Sequence, residues 1–268
     1  MNRLIVLGTG YAMATKCYNT CFAVQNEKGD TFLTDAGGGN GILVQLERAG
    51  IDIASIHEMM VTHEHCDHLL GVVWIVRKIA AMMNAGHYEG EFHIYCHEGL
   101  CSAIRTMCGL TLQKKLTKHF DERILLHEIA DGQAAQLRVG EITFFDIHST
   151  KARQFGYHLC WDEKKLTCLG DEPYNPLCEA YLCNTDWLLA EAFCLYEQRE
   201  RFSPYEKHHS TVKEACELAQ ELSVPHLVLW HTEDENYENR QALYTAEGKQ
   251  YYRGDLHVPN DLDVLELI

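Results

Sequence analysis

Apolar positions along the chain fall into short runs separated by turn signals, and the period within each run predicts an element. Residues 4–7, 21–24 and 31–34 read as strands, with Glu27-Lys28-Gly29-Asp30 as the hairpin turn between the last two. Residues 41–49 predict a helix that puts Ile42, Leu43 and Leu46 on one face. A short buried strand is expected at 58–62, then a largely apolar helix at 69–83 that belongs inside the protein. Further strands are expected at 92–96, 124–126, 142–145, 157–160 and 166–169, and a helix at 99–107. Residues 211–222 carry Val212, Ala215, Cys216, Ala219 and Leu222 on one stripe, an amphipathic helix leading into a strand at 226–230. Strands come first in each half and helices interleave later. That order predicts an α/β sandwich with helices outside two sheets.

Composition narrows the picture. A chain of 268 residues suits one large domain or two small ones. It has no repeat, low-complexity tract or Pro/Ser-rich linker, and only five prolines, so a single domain over 1–268 is expected. Hydrophobic content of 46% and charged content of 23% argue against disorder. No run of 18 apolar residues offers a transmembrane helix. The apolar stretch within the first ten residues is too short for a signal peptide, so a cytoplasmic location is expected. The 12 cysteines include Cys17-x3-Cys21 and Cys178-x4-Cys183, which match no zinc-knuckle spacing. Reduced, mostly buried thiols are the expectation. Lys and Arg number 23 against 39 Asp and Glu, a net charge of −16, which speaks against an extended nucleic-acid surface. The most basic segment, 113–119, reads as a solvated face.

The candidate chemistry is concentrated in Thr62-His63-Glu64-His65-Cys66-Asp67-His68, at the end of the expected strand 58–62. Clustered imidazoles and a carboxylate need a shared counter-charge, and a divalent cation such as zinc accepts that ligand set. The order H-x-H-x-D-H offers ligands in two groups, enough to serve two metals. A local loop cannot close two coordination spheres, so further ligands must come from distant strand ends. His148, Asp171 and His231 each follow an apolar strand, and Gly170 before Asp171 allows close backbone approach.

H-x-H-x-D-H, then His, then Gly-Asp, then His, each at a strand end, resembles the metallo-β-lactamase-fold metallohydrolases. The resemblance spans nearly the whole chain, and Asp35 in Thr34-Asp35-Ala36-Gly37-Gly38-Gly39 is similar to the family's early motif. It implies a four-layer αβ/βα sandwich with the metal centre at one edge between the sheets. It further implies that His63, His65 and His148 hold one metal, that Asp67, His68 and His231 hold the other, and that Asp171 bridges them. Zinc suits these ligands, while manganese or iron can occupy similar sites.

Within that superfamily, His208-His209-Ser210-Thr211 before a helix and the last His ligand resembles the ribonuclease Z and related phosphodiesterase branch. Leu7-Gly8-Thr9-Gly10, Asn19-Thr20 and Phe155-Gly156-Tyr157 are similar to it as well. The resemblance implies that His209 gives a proton or steadies the phosphate, that Glu191 orients it, and that Asp67 both ligates and accepts the nucleophile's proton. Ribonuclease Z proper carries a long Gly/Pro-rich arm between the third metal His and the bridging Asp. Here that interval is 171 − 148 = 23 residues, too short for one. The expected activity is therefore a binuclear phosphodiesterase acting on a small or cyclic phosphodiester or an RNA end. The alternative is an acyl hydrolase, a lactonase or thioesterase, on the same metals. The resemblance also raises a homodimer, which no residue pattern demands.

Overall fold

The computed structural model describes residues 2–268. Strands β1 (Asn2–Gly8), β2 (Cys21–Gln25) and β3 (Thr31–Thr34) form an antiparallel meander. The sheet continues in parallel through β4 (Ile56–Met60), β5 (Phe92–Cys96) and β6 (Ile124–Glu128). Parallel neighbours need crossovers, supplied by α1 (Gly41–Arg48), α2 (Cys66–Ala85), α3 (Glu98–Thr111) and the short α4 (Lys114–Thr117). The second half repeats this plan. An antiparallel run of β7 (Ala134–Leu137), β8 (Gly140–Asp146), β9 (Phe155–Trp161) and β10 (Lys164–Cys168) turns parallel through β11 (Trp187–Glu191), β12 (His226–Trp230) and β13 (Asp255–His257). Helices α5 (Glu179–Leu182), α6 (Arg199–Phe202), α7 (Val212–Glu221) and α8 (Arg240–Gly248) lie in its connections. Finally β14 (Val264–Leu267) crosses back to pair with β1, so the first sheet reads β14-β1-β2-β3-β4-β5-β6 and the second β13-β12-β11-β10-β9-β8-β7.

Strand β1 shows why the layers stack as they do. Leu4 and Val6 join the core between the sheets, with Phe22, Phe32, Phe144, Tyr157 and Trp230. Ile5 and Leu7 join the core under α1, α2 and α3. A strand buried on both faces reads as a continuous apolar run, as residues 4–7 do. On the far side, α7 and α8 cover the second sheet through Val212, Cys216, Ala219 and Tyr244. The αβ/βα sandwich expected from the chain is the observed architecture.

The differences lie where polarity hides an element. Strand β4 ends at Met60, because Thr62 already turns to the site, its N–H donating to Asp35. Helix α2 begins at Cys66, three residues before the apolar pattern does, because its first turn is built of Asp67 and His68, which are buried for chemical reasons. Strand β7 buries only Leu137 of its four residues and gives almost no hydrophobic signal. The turn at 27–30 is as expected, with Gly29 at φ 86° and Asn26 Oδ1 accepting from Lys28 N and Asp30 N. No disulfide joins the described residues, so the cysteines are free thiols. No helix among them is long and apolar enough to cross a membrane.

One packing contact ties the fold to the site. Gly71 of α2 donates its N–H to Gly37 O at 2.8 Å, and Ala36 N donates to His68 O at 3.1 Å, locking the helix against the loop after β3. A methyl group at Gly71 would drive into the Ala36 carbonyl, which as backbone cannot swing away. Gly71→Ala is expected to cost about 1–3 kcal/mol, as over-packing does. In a thermal melt that is a drop of roughly 2–4 °C per kcal/mol for a chain of this size. A wild-type Tm would show that the two segments can separate freely.

Candidate metal centre

The carboxyl ends of the parallel strands meet at one edge of the sandwich, and each delivers a polar side chain there. Asp35 follows β3, residues 61–68 follow β4, Asp171 follows β10, Glu191 ends β11 and His231 follows β12. Asp35 is buried, at φ 56°. Its Oδ1 accepts from Thr62 N and its Oδ2 from Thr62 Oγ1, both at 2.8 Å. Oδ2 also accepts from His68 Nδ1 at 2.7 Å. Since the Thr62 hydroxyl gives its only hydrogen to Asp35, it accepts from His63 Nδ1 at 2.9 Å. One carboxylate thus sets the tautomer of two imidazoles and turns both Nε2 atoms to the centre. His231 is set the same way: Thr20 Oγ1 donates to Gly10 O at 3.0 Å and accepts from His231 Nδ1 at 3.1 Å.

Asp171 occupies the middle. Its Oδ1 accepts from Gln154 Nε2 at 2.8 Å, which leaves Oδ2 facing His63 Nε2 at 3.4 Å and His68 and His231 Nε2 at 3.6 Å each. Asp67, in the first turn of α2 where a helix favours negative charge, puts Oδ2 3.4 Å from His68 Nε2. His65 caps that helix at its N-terminus and brings Nδ1 to 2.9 Å from His63 Nε2. Two donor groups therefore lie each within 4.8 Å: His63, His68 and Asp171, and Asp67, His68 and His231.

These donors fit divalent ions. Ligand atoms on a tetrahedral zinc are ~3.3 Å apart, from bonds of ~2.0–2.1 Å, close to the separations here. His68 Nε2 is buried and makes no hydrogen bond, an expensive orphan unless a cation takes its lone pair. The electrostatics agree. Burial alone would strip the proton from His68, yet Asp35, Asp171 and Asp67 hold it well above the usual imidazole range. Burial opposes a charge on Asp171 too, but His63, His68 and His231 hold it well below the usual carboxylate range. His231 is pushed down to about 3, first by burial and then by its imidazole neighbours, against the pull of Asp171. The carboxylates demand a positive charge at this point, and a metal ion would replace a proton as its source.

His209 stands beside this group. Its ring packs 5.1 Å from that of His231 and stacks on Phe193 at 5.1 Å and 14°. Glu191 Oε1 accepts from Ser210 N at 2.5 Å, and its Oε2 lies 3.6 Å from His209 Nδ1. Burial raises the Glu191 carboxyl, tempered by His209 and Ser210. Thr211 starts α7 in a capping box with Glu214, so Glu191 serves His209 and Ser210 while Thr211 turns to the helix. Two expected ligands, His65 and His148, belong to neither donor group. His65 stays beside the centre, against His63, whereas His148 is exposed at φ 57° and lines a cleft with His208, Glu172 and Tyr174. The supporting roles of Thr20, Thr62 and Gln154 escaped the sequence reading, since an isolated hydroxyl or amide carries no periodic or spacing signal.

Two stacked α/β layers with metal-type ligands gathered at the carboxyl edge define a metallo-β-lactamase fold. Among solved structures, YhfI from Bacillus subtilis superposes with a TM-score of 0.79, covering 98% of both chains at 17% identity. The short form of human tRNase Z (ELAC1) gives 0.75 over 99% of both chains at 19% identity. A ribonuclease Z of Thermococcus onnurineus (strain NA1) is 23% identical over 312 aligned positions, 99% of this chain and 94% of that one. The Anti-Pycsar protein Apyc1 family model matches residues 2–250, and this chain belongs to that family.

The orienting network is testable. Asp35→Asn and Thr20→Val should each weaken zinc binding by roughly 10–100-fold, the usual effect of removing a partner behind a metal ligand. Competition against a chromophoric chelator, on variants whose circular dichroism matches wild type, checks this. Unchanged affinity in both would mean the imidazoles hold their orientation without these partners.

Proposed function

We propose that this chain is a binuclear phosphodiesterase acting on a small or cyclic phosphodiester, with an RNA end as the second substrate class. The observation that carries the reading is the Glu191–His209 pair set against His231, because ester hydrolysis at phosphorus needs a proton for the departing oxygen. The small-substrate preference is supported by residues 148–171. They comprise a loop, the β9–β10 hairpin and a turn, with no inserted arm, in a chain of net charge −16.

Two divalent ions, zinc by the chemistry of the donors, would be held by His63, His65 and Asp171 on one side and by Asp67, His68, His231 and Asp171 on the other. His148 would join the first group once the 147–153 loop turns its ring inward. When bound, such ions polarise a phosphoryl oxygen and lower the pKa of a water to about 7. The chain's own residues do the rest. Asp67 accepts the proton of the attacking water. His209 presents Nδ1 to Glu191, which leaves Nε2 to protonate the leaving oxygen or bond a nonbridging one. Glu191, pinned by Ser210, keeps that ring from turning, and Phe193 screens its face from water.

His209→Ala should lower kcat for bis(p-nitrophenyl) phosphate and for cyclic nucleotides by roughly 10²–10⁴-fold, the range of a lost general acid. Its metal content by mass spectrometry should match wild type. Full phosphodiester turnover in the variant would remove the proposed role. Wild-type turnover of lactones or thioesters alone, unaffected by the substitution, would assign the centre to acyl transfer instead.

A further inference from the structure

The opposite edge of the second sheet holds a separate cluster of ligand-type side chains. His226 opens β12, five residues before His231, so it lies about 16 Å from the candidate centre at ~3.3 Å per residue. Trp187, His226 and Asp255 are in register across β11, β12 and β13. His257 follows Asp255 by two residues on β13, so the strand's alternation puts both on the same face. Asp255 Oδ2 lies 3.3 Å from His226 Nδ1 and 3.1 Å from His257 Nε2.

From this we infer a zinc site formed by His226, Asp255 and His257, independent of the centre at the other edge. All three donor atoms fall within 4.8 Å of one another, and the two measured edges match the ~3.3 Å spacing of ligands on tetrahedral zinc. His257 Nε2 is buried as an atom and makes no aligned hydrogen bond, even with Asp255 Oδ2 at 3.1 Å. Trp187 backs the cluster, stacked on His226 at 4.1 Å and 8° and on His257 at 5.1 Å, which fixes both rings. Both rings are about one-fifth to one-quarter exposed and Asp255 is 61% exposed, which leaves a fourth position open to water. The site's consequence is mechanical. β13 is a three-residue strand at the free edge, and an ion shared between β12 and β13 would staple it in place.

The test is zinc stoichiometry after dialysis against buffered micromolar free zinc, on wild type and the double variant His226→Gln/His257→Gln. The variant should lose one zinc equivalent per chain. A diethylpyrocarbonate footprint on the wild-type protein covers the case in which the variant misfolds. Micromolar zinc should protect His226 and His257 from labelling, read peptide by peptide. Equal zinc content in the two proteins would overturn the site, and so would labelling that zinc blocks only at millimolar concentration. Neither readout depends on activity, so failure here and failure of the phosphodiesterase reading are separable.

Discussion

The site depends on one buried carboxylate. Asp35 leaves β3 in a left-handed conformation and takes hydrogen bonds from the backbone and side chain of Thr62 and from His68. Those three bonds join the end of β3, the end of β4 and the first turn of α2, adding side-chain ties to the β3–β4 pairing and the α2 backbone contacts. A buried anion without such donors would be costly, so the carboxylate forces the loops to converge on it. In converging they present the Nε2 atoms of His63 and His68 to Asp171, with His65 Nδ1 also against His63 Nε2. The protein's own hydrogen bonds therefore orient the imidazoles.

The sandwich supplies the scale on which this works. Each sheet is half antiparallel meander and half parallel, and only the parallel half sends successive strand ends to the same edge. Side chains far apart along the chain, such as His63, Asp171 and His231, come within 3.4–3.6 Å because their strands end together. The edge also collects what modulates the centre: Gln154 on one oxygen of Asp171, Thr20 behind His231, and Glu191 behind His209. Rigid strand ends hold these groups with less freedom than loops would, which suits a site where misplacement by an ångström is expensive.

Legibility followed hydrophobicity. Residues 4–7, 92–96 and 226–230 are apolar on both faces and were readable as buried strands, and they fold as β1, β5 and β12. Strand β7 was not readable, since only Leu137 of its four residues is buried at the sheet's edge. The start of α2 was displaced by three residues because buried polar side chains break an apolar period as thoroughly as a loop does.

The same contrast divides the centre. The chain by itself determined the candidate ligand types, their crowding in 63–68, and the placement of Asp171 and His231 after strands, because imidazoles and carboxylates are costly to cluster and so stand out. It also set the absence of an inserted arm between 148 and 171, which is a matter of length. Tertiary structure decided the rest. Which nitrogen of each imidazole faces inward depends on Asp35, Thr62 and Thr20, whose bonds span up to 211 residues. That His148 stays outside both donor groups depends on a left-handed turn after β8. The His226–Asp255–His257 cluster is invisible along the chain for the same reason: strand register, which only folding creates, sets those donors 3.1–3.3 Å apart.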